Sequence, residues 1–224
     1  MAEFQTAVTL APDRYTWRLE YAEVLLDLGI GREALAEIDA ARRLCGDCPE
    51  ALRGAVNFYL TTGDVAATIE PLRRLQAVEP APRNRLLLVQ ALWAAADVEA
   101  VADLLDPVTE AQLSGEELAI LIEVDRRLGR SERARRWVAG SAETVARVAL
   151  PPHHVWAILA EICLAAEQPE LALTAIDRAL ADRADVALYH HNRAAILVAL
   201  DRQDEARGAL AEAHRLDPNL SESP

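Results

Sequence analysis

A period of about 34 residues runs through this chain and limits its fold more than any single motif. Turn residues recur at Gly29, Gly63, Ala96, Gly129, Glu167 and Asp201, at intervals of 34, 33, 33, 38 and 34 residues. On both sides of each turn, apolar residues repeat with helical spacing, so each period reads as two helices joined by a tight turn. One such pair cannot bury its own apolar face and has to stack on its neighbours. The single long interval falls on VALPPHH, residues 148 to 154, where Pro151-Pro152 breaks helix and the extra residues fit a loop.

The final period is the clearest. In HHNRAAILVALDRQDEARGALAEAHRLDPN, helices over about 188–200 and 204–216 flank a turn at Asp201-Arg202, and Pro218 ends the second helix because it cannot continue the hydrogen-bond ladder. The period before it carries Trp156-x2-Leu159-Ala160-x2-Cys163, then Ala172-x3-Ile176-x2-Ala179. This resembles the tetratricopeptide-repeat signature W-x2-L-G-x2-Y followed by A-x3-F, in which small residues sit where helices cross closely and large ones fill between pairs. Earlier units follow the same register. They are Tyr21-Ala22-x2-Leu25 with Ala34-x3-Ile38-x2-Ala41, and Ala55-Val56-x2-Tyr59 with Thr68-x3-Leu72-x2-Leu75. Leu88-Val89-x2-Leu92 with Val101-x3-Leu105, and Leu121-Ile122-x2-Asp125 with Ala134-x3-Val138, are more degenerate.

The resemblance implies an all-α, right-handed superhelical solenoid of about six helix-turn-helix units plus an N-terminal half unit. The register sets a half repeat at 1–12, repeats at 15–48, 49–81, 82–114 and 115–147, an inserted loop at 148–152, repeats at 153–186 and 187–219, and a tail at 220–224. Phe4-x2-Ala7-x2-Leu10 and Pro12 read as the second helix of the half unit. Neither end carries a polar capping helix. That suits an excised piece of a longer protein, or ends that pair with other copies.

In proteins of this family the first helices line a concave groove that usually holds a peptide or an extended segment of another protein. Matching positions on successive first helices give a polar row, Glu23, Asn57, Gln90, Glu123, Glu161 and Ala195, and an apolar row broken by one cation, Leu26, Leu60, Trp93, Arg126, Leu164 and Val198. With Arg53, Leu86 and Arg127, these rows supply the candidate groove residues. Tight packing of the rows against one another is the competing reading. An exposed apolar ribbon marks a binding surface, so the expected ligand is an amphipathic protein or peptide segment with donors or basic groups for the acidic row. Some family members grip a partner's C-terminal carboxylate with a basic–Asn clamp. Arg53 and Asn57 match its first pair, but Leu87, Glu116 and Ile120 depart from the rest, so a chaperone-tail clamp is not expected.

Other clusters are weaker signals. In DRRLGRSERARRW, Arg126, Arg127, Arg130, Arg133, Arg135 and Arg136 fall close together; they balance an acidic chain on solvated faces, or Arg126 and Arg127 anchor an acidic ligand group. His153-His154 and His190-His191 begin adjacent first helices, where His154 and His191 could approach, yet no carboxylate or thiol is spaced to complete a metal shell. Trp156, Trp17 and Trp137 read as packing residues. Cys45-Gly-Asp-Cys48 has redox-motif spacing, but Cys45 follows a helix end, where the dipole disfavours a thiolate. The stretch therefore reads as an inter-repeat turn, with a disulfide or redox and metal roles as alternatives.

Net charge of −13, with all 23 basic residues arginine, argues against binding to phosphate backbones or anionic lipid. No stretch is long and apolar enough to span a membrane. MAEFQTAVTLAPDRY lacks a basic start followed by an apolar core, so a cytoplasmic location is expected, or a periplasmic one if a signal sequence has been removed. No nucleophile elbow, phosphate loop or zinc-protease motif occurs, so neither catalysis nor a cofactor is expected. The sequence thus reads as a noncatalytic protein-interaction scaffold of bacterial character. The alternatives are a targeting or regulatory module of a larger enzyme or regulator, and a self-assembling structural unit.

Overall fold

The structure, a computed structural model, describes residues 2–140 and 142–220; the end of the expected tail, from 221 onwards, lies outside the described residues. Among the described residues there are fourteen α-helices and no strand. The chain divides into two compact units, the first ending at Ala100 and the second beginning at Val101. The first holds α1 (Ala2–Leu10), α2 (Tyr15–Asp27), α3 (Gly31–Cys45), α4 (Pro49–Thr62), α5 (Ile69–Val78) and α6 (Pro82–Ala94). Helix α7 (Val98–Leu105) spans the division. The second holds α8 (Gly115–Arg127), α9 (Glu132–Ala139), α10 (Glu143–Arg147), α11 (Pro152–Ala165), α12 (Pro169–Asp182), α13 (Ala187–Ala199) and α14 (Gln203–Leu216).

The periodic turn residues share one backbone conformation. Gly29, Gly63 and Gly129 have φ of 74°, 79° and 65°, and Ala96, Glu167 and Asp201 reach 58°, 57° and 59°. At each, the turn residue's N–H donates to the carbonyl three residues back and the next N–H donates to the carbonyl five back, as in Gly29 to Leu26 (2.9 Å) with Ile30 to Leu25 (2.8 Å), and Glu167 to Leu164 (3.0 Å) with Gln168 to Cys163 (2.9 Å). This is the Schellman closure of a helix, which satisfies its last carbonyls and needs a left-handed residue. Glycine adopts that conformation freely, whereas a residue with a Cβ does so at a cost of about 1 kcal/mol. Where the turn residue is not glycine, tertiary packing holds it there.

The next helix then returns with a small or β-branched residue at the crossing. Ala34, Thr68, Val101, Ala134, Ala172 and Ala206 are all buried, and the Thr68 hydroxyl is satisfied by donating to the Val65 carbonyl (2.6 Å). In the first unit, Ala22, Leu25, Ala34, Ile38, Ala55 and Phe58 form one cluster across α2, α3 and α4. In the second, Trp156, Leu159, Ala160, Cys163, Ala172, Ile176 and Ala179 are buried between α11 and α12. Burial lifts the Cys163 thiol to about 11, which keeps it a protonated core group at neutral pH.

The degenerate periods depart in structure as well as in sequence. Their second helices, α7 and α9, have only 8 residues each, against 15 in α3 and 14 in α12. Around the long interval, short helix α10 (Glu143–Arg147) precedes the irregular residues 148–151, with Val145 and Val148 buried. At the chain's start, Phe4 of α1 stacks on Tyr21 of α2 at 6.5 Å between ring centres, while Leu10, an apolar position of the half unit, is 79% exposed.

Candidate binding face of the first unit

Helices α2, α4 and α6 are the first helices of their pairs, and two concavities open beside α4. Each of these helices is fixed by its Schellman turn at the C-terminal end, and α4 and α6 begin on prolines, Pro49 and Pro82, whose missing N–H costs nothing at a helix start. The first concavity, of about 290 Å³, lies between α2, α3 and α4; Leu19, Leu26 and Ile38 line it together with Glu23, Arg53 and Asn57. The second, of about 350 Å³, is lined by Val56, Leu60, Leu75 and Leu87 with Arg53, Asn57 and Asn84. Arg53 and Asn57 therefore belong to both.

The sequence-derived candidates divide accordingly. Glu23, Leu26, Arg53, Asn57 and Leu60 line these concavities. Leu60 is 44% exposed despite being leucine, and Asn57 is exposed as well. Leu86 is half-buried, and its neighbour Leu87 lines the second concavity. On α6, Gln90 is exposed and Trp93 half-buried. Arg53 does not stand free: it reaches Glu79 (2.6 Å) and lies 3.7 Å from Glu50. Asn84, 8% exposed, donates its amide to the Glu79 carbonyl oxygen (2.9 Å), which fixes it in the second concavity.

The rows of first-helix positions do not include Leu19, Glu20, Ile38, Glu50, Gly54 or Asn84, although the structure brings them to these concavities. One signal was present, a glycine in the interior of a helix. Gly54 lies within α4, where glycine costs about 1 kcal/mol relative to alanine, and a Cβ built there meets only the Leu19 Cδ2, at 3.3 Å.

The candidates of the second unit are placed differently. Glu123 accepts from Arg126 (Nε 2.8 Å) and from Arg127 (3.4 Å). Hydrogen bonds from Arg126 hold the Glu123 carboxyl below the usual range in spite of its partial burial. Arg126 is thus engaged by Glu123, with Glu161 adding to the field around it. Glu161 is exposed and accepts from Asn192 (3.5 Å), and Leu164 is half-buried.

Arg135 pairs with exposed Glu132 (2.9 Å), while Arg130, Arg133 and Arg136 make structural contacts. Arg133 bonds the buried Asp125 (2.7 Å) and reaches Asp106 (3.3 Å) and Glu110 (3.4 Å). Arg130 pairs with Asp106 (2.7 Å), and Arg136 and the Trp137 indole N–H both donate to Glu110 at 2.8 Å. Arg147 donates to the carbonyls of Glu110, Ala111 and Leu113. Together they clamp the 106–113 segment, which carries a 3-10 turn at Glu110–Gln112, onto α9 and the end of α10. Burial pushes the Glu110 carboxyl up, but the bonds from Trp137 and Arg136 outweigh it and leave it lowered. Burial likewise raises Asp125, here beyond what Arg133 offsets.

His153, rather than His154, reaches the neighbouring first helix: its Nδ1 lies 2.8 Å from the Tyr189 hydroxyl. Among the described residues no group of His, Cys, Asp and Glu is arranged to hold a metal. Cys45 and Cys48 are joined by a disulfide with their Cα atoms 5.5 Å apart. Between them Gly46 and Asp47 are both left-handed, and Asp47 ties Arg42 (3.0 Å) to Arg74, which spans α3 and α5. Trp137 and Trp156 are buried; Trp17 is half-buried beneath the Arg14 guanidinium, 5.2 Å from its ring.

Stacked helix hairpins closed by left-handed turns define an all-α helical-repeat protein. More particularly, the fold is that of the tetratricopeptide-repeat family. The C-terminal part of a TPR repeat-containing protein from Cytophaga hutchinsonii is similar over 88% of this chain and 78% of its own, with 11% identity and a TM-score of 0.51. A chain of the APC/C hetero-tetramer Cut9-Hcn1 is similar over 99% of this chain and 43% of its own, with 15% identity and a TM-score of 0.49. This chain therefore spans less than half of that one. YrrB, a TPR protein with an unusual peptide-binding site, is similar over 96% of this chain and 93% of its own, with 13% identity and a TM-score of 0.39. No protein-family model matches the chain, and no curated protein matches its sequence. No helix among the described residues is long and apolar enough to cross a membrane.

Proposed function

We propose that this protein is a noncatalytic interaction scaffold whose first unit binds an extended segment of a protein partner across α2, α4 and α6. The observation that carries this reading is the pair of concavities sharing Arg53 and Asn57, with exposed Leu60 at the second. Apolar floors take side chains of the segment. The Asn57 amide, which makes no hydrogen bond within the described residues, supplies a donor and an acceptor for its main chain. Because Schellman turns and buried crossings set α4 and α6 in place, little ordering is required on binding.

Panning a random decapeptide display library on the full chain tests this. Recovered peptides should bind the wild type and lose about tenfold or more in affinity to an Asn57→Ala/Leu60→Ala variant. Recovery of none, or binding unchanged by that variant, contradicts the proposal.

A further inference from the structure

We infer that the first concavity is a subsite for a basic side chain of the bound segment; this rests on the binding face proposed above. The concavity combines an apolar floor with an unbalanced acidic rim. Leu19, Leu26 and Ile38 form the floor, and Glu20, Glu23 and Glu50 bring carboxylates to the lining. The one guanidinium in the lining, Arg53, is drawn to Glu79 at 2.6 Å and lies farther, 3.7 Å, from Glu50. Glu20 and Glu23 form no ion pair among the described residues. A partner group that places positive charge there meets two carboxylates without displacing an existing bridge.

Gly54 supplies the space. The matching positions on the adjoining first helices, 34 residues earlier and 33 later, carry Glu20 and Leu87. At 54 there is no side chain, and the concavity opens over that gap. Arginine and lysine fit such a shape, because their methylene stems lie on apolar surface while the charged head reaches the rim. Arginine also matches a carboxylate with a two-pronged donor. An acidic side chain would face like charge, and a purely apolar one would leave Glu20 and Glu23 unused.

The test reads the composition of the recovered decapeptides. Wild-type protein should enrich arginine and lysine among peptides that depend on Asn57 and Leu60, and a Glu20→Gln/Glu23→Gln variant should lose that enrichment. For the tightest such peptide, that variant, or replacement of the peptide's arginine by citrulline, should weaken binding about tenfold, as two partly exposed charge contacts allow. Gly54→Leu, which fills the concavity, should weaken it at least as much while circular dichroism shows the helices intact. A Glu33→Gln/Glu99→Gln variant, equal in charge but away from the concavity, should retain the enrichment. Dependent peptides without basic enrichment, enrichment that survives Glu20→Gln/Glu23→Gln, or enrichment lost equally in the control variant overturns the subsite and leaves the binding face standing. No dependent peptides at all overturns both.

Discussion

Helix α2 of the first unit and helix α8 of the second use their acidic residues in opposite ways. On α2, Glu20 and Glu23 form no ion pair among the described residues and line the apolar-floored first concavity. On α8 of the second, Glu123, which occupies the register position of Glu23, is held by Arg126 and Arg127. Two residues on, Asp125 is buried at a position that is Leu25 on α2 and Leu92 on α6, and Arg133 from the next helix bonds it. Small residues at crossings and left-handed turns are common to both. The fold therefore rests on those features, while the charges on the first helices differ between the units.

The largest expected effect comes from breaking the buried Arg133–Asp125 pair of the second unit. Arg133→Ala strands a buried carboxylate and should lower stability by about 3 kcal/mol in urea unfolding followed by circular dichroism. Asp125→Leu, which restores the apolar register and leaves Arg133 with Asp106 and Glu110, should cost far less. A loss equal to that of Arg133→Ala would mean the pair itself stabilises the unit.

A smaller effect separates the half-buried Glu110 from the buried Asp125 by pH. Glu110 is lowered in the folded state, so its contribution is present above the ordinary value of 4.5 and is lost as pH falls through its folded value. Asp125 is raised, so its charged form opposes folding and acid relieves it between its ordinary value of 3.8 and its raised one. Glu110→Gln should cost about 1–2 kcal/mol at neutral pH and flatten the acid limb of the stability profile. An unchanged acid limb would remove Glu110 from the clamp.

The smallest effects test what the units share. Gly63→Ala should cost about 1 kcal/mol and Glu167→Gly should gain up to about the same, read as shifts in the unfolding midpoint. Equal responses to both substitutions would deny that the turns need a left-handed residue.

The turns were legible because their spacing is a backbone requirement repeated along the chain, visible even where Ala96, Glu167 and Asp201 replace glycine. The buried crossings followed from the same register. What escaped register reading depends on partners far apart in sequence. The DRRLGRSERARRW run resembles a solvated charge patch until Glu110, 23 residues before Arg133, is brought beside it. Asp125 reads only as a degenerate position until Arg133 reaches it. The concavity floor likewise draws on Ile38 of a second helix, which rows of first-helix residues cannot reveal.

Hydrogen–deuterium exchange of the full chain, with and without a groove-dependent decapeptide, tests the central claim most directly, namely that the first unit carries the open binding face. Peptide should slow exchange over 19–26, 50–60 and 79–87, and leave α8 and α11 unchanged. Protection confined to α8 and α11, with none over those first-unit segments, would contradict it.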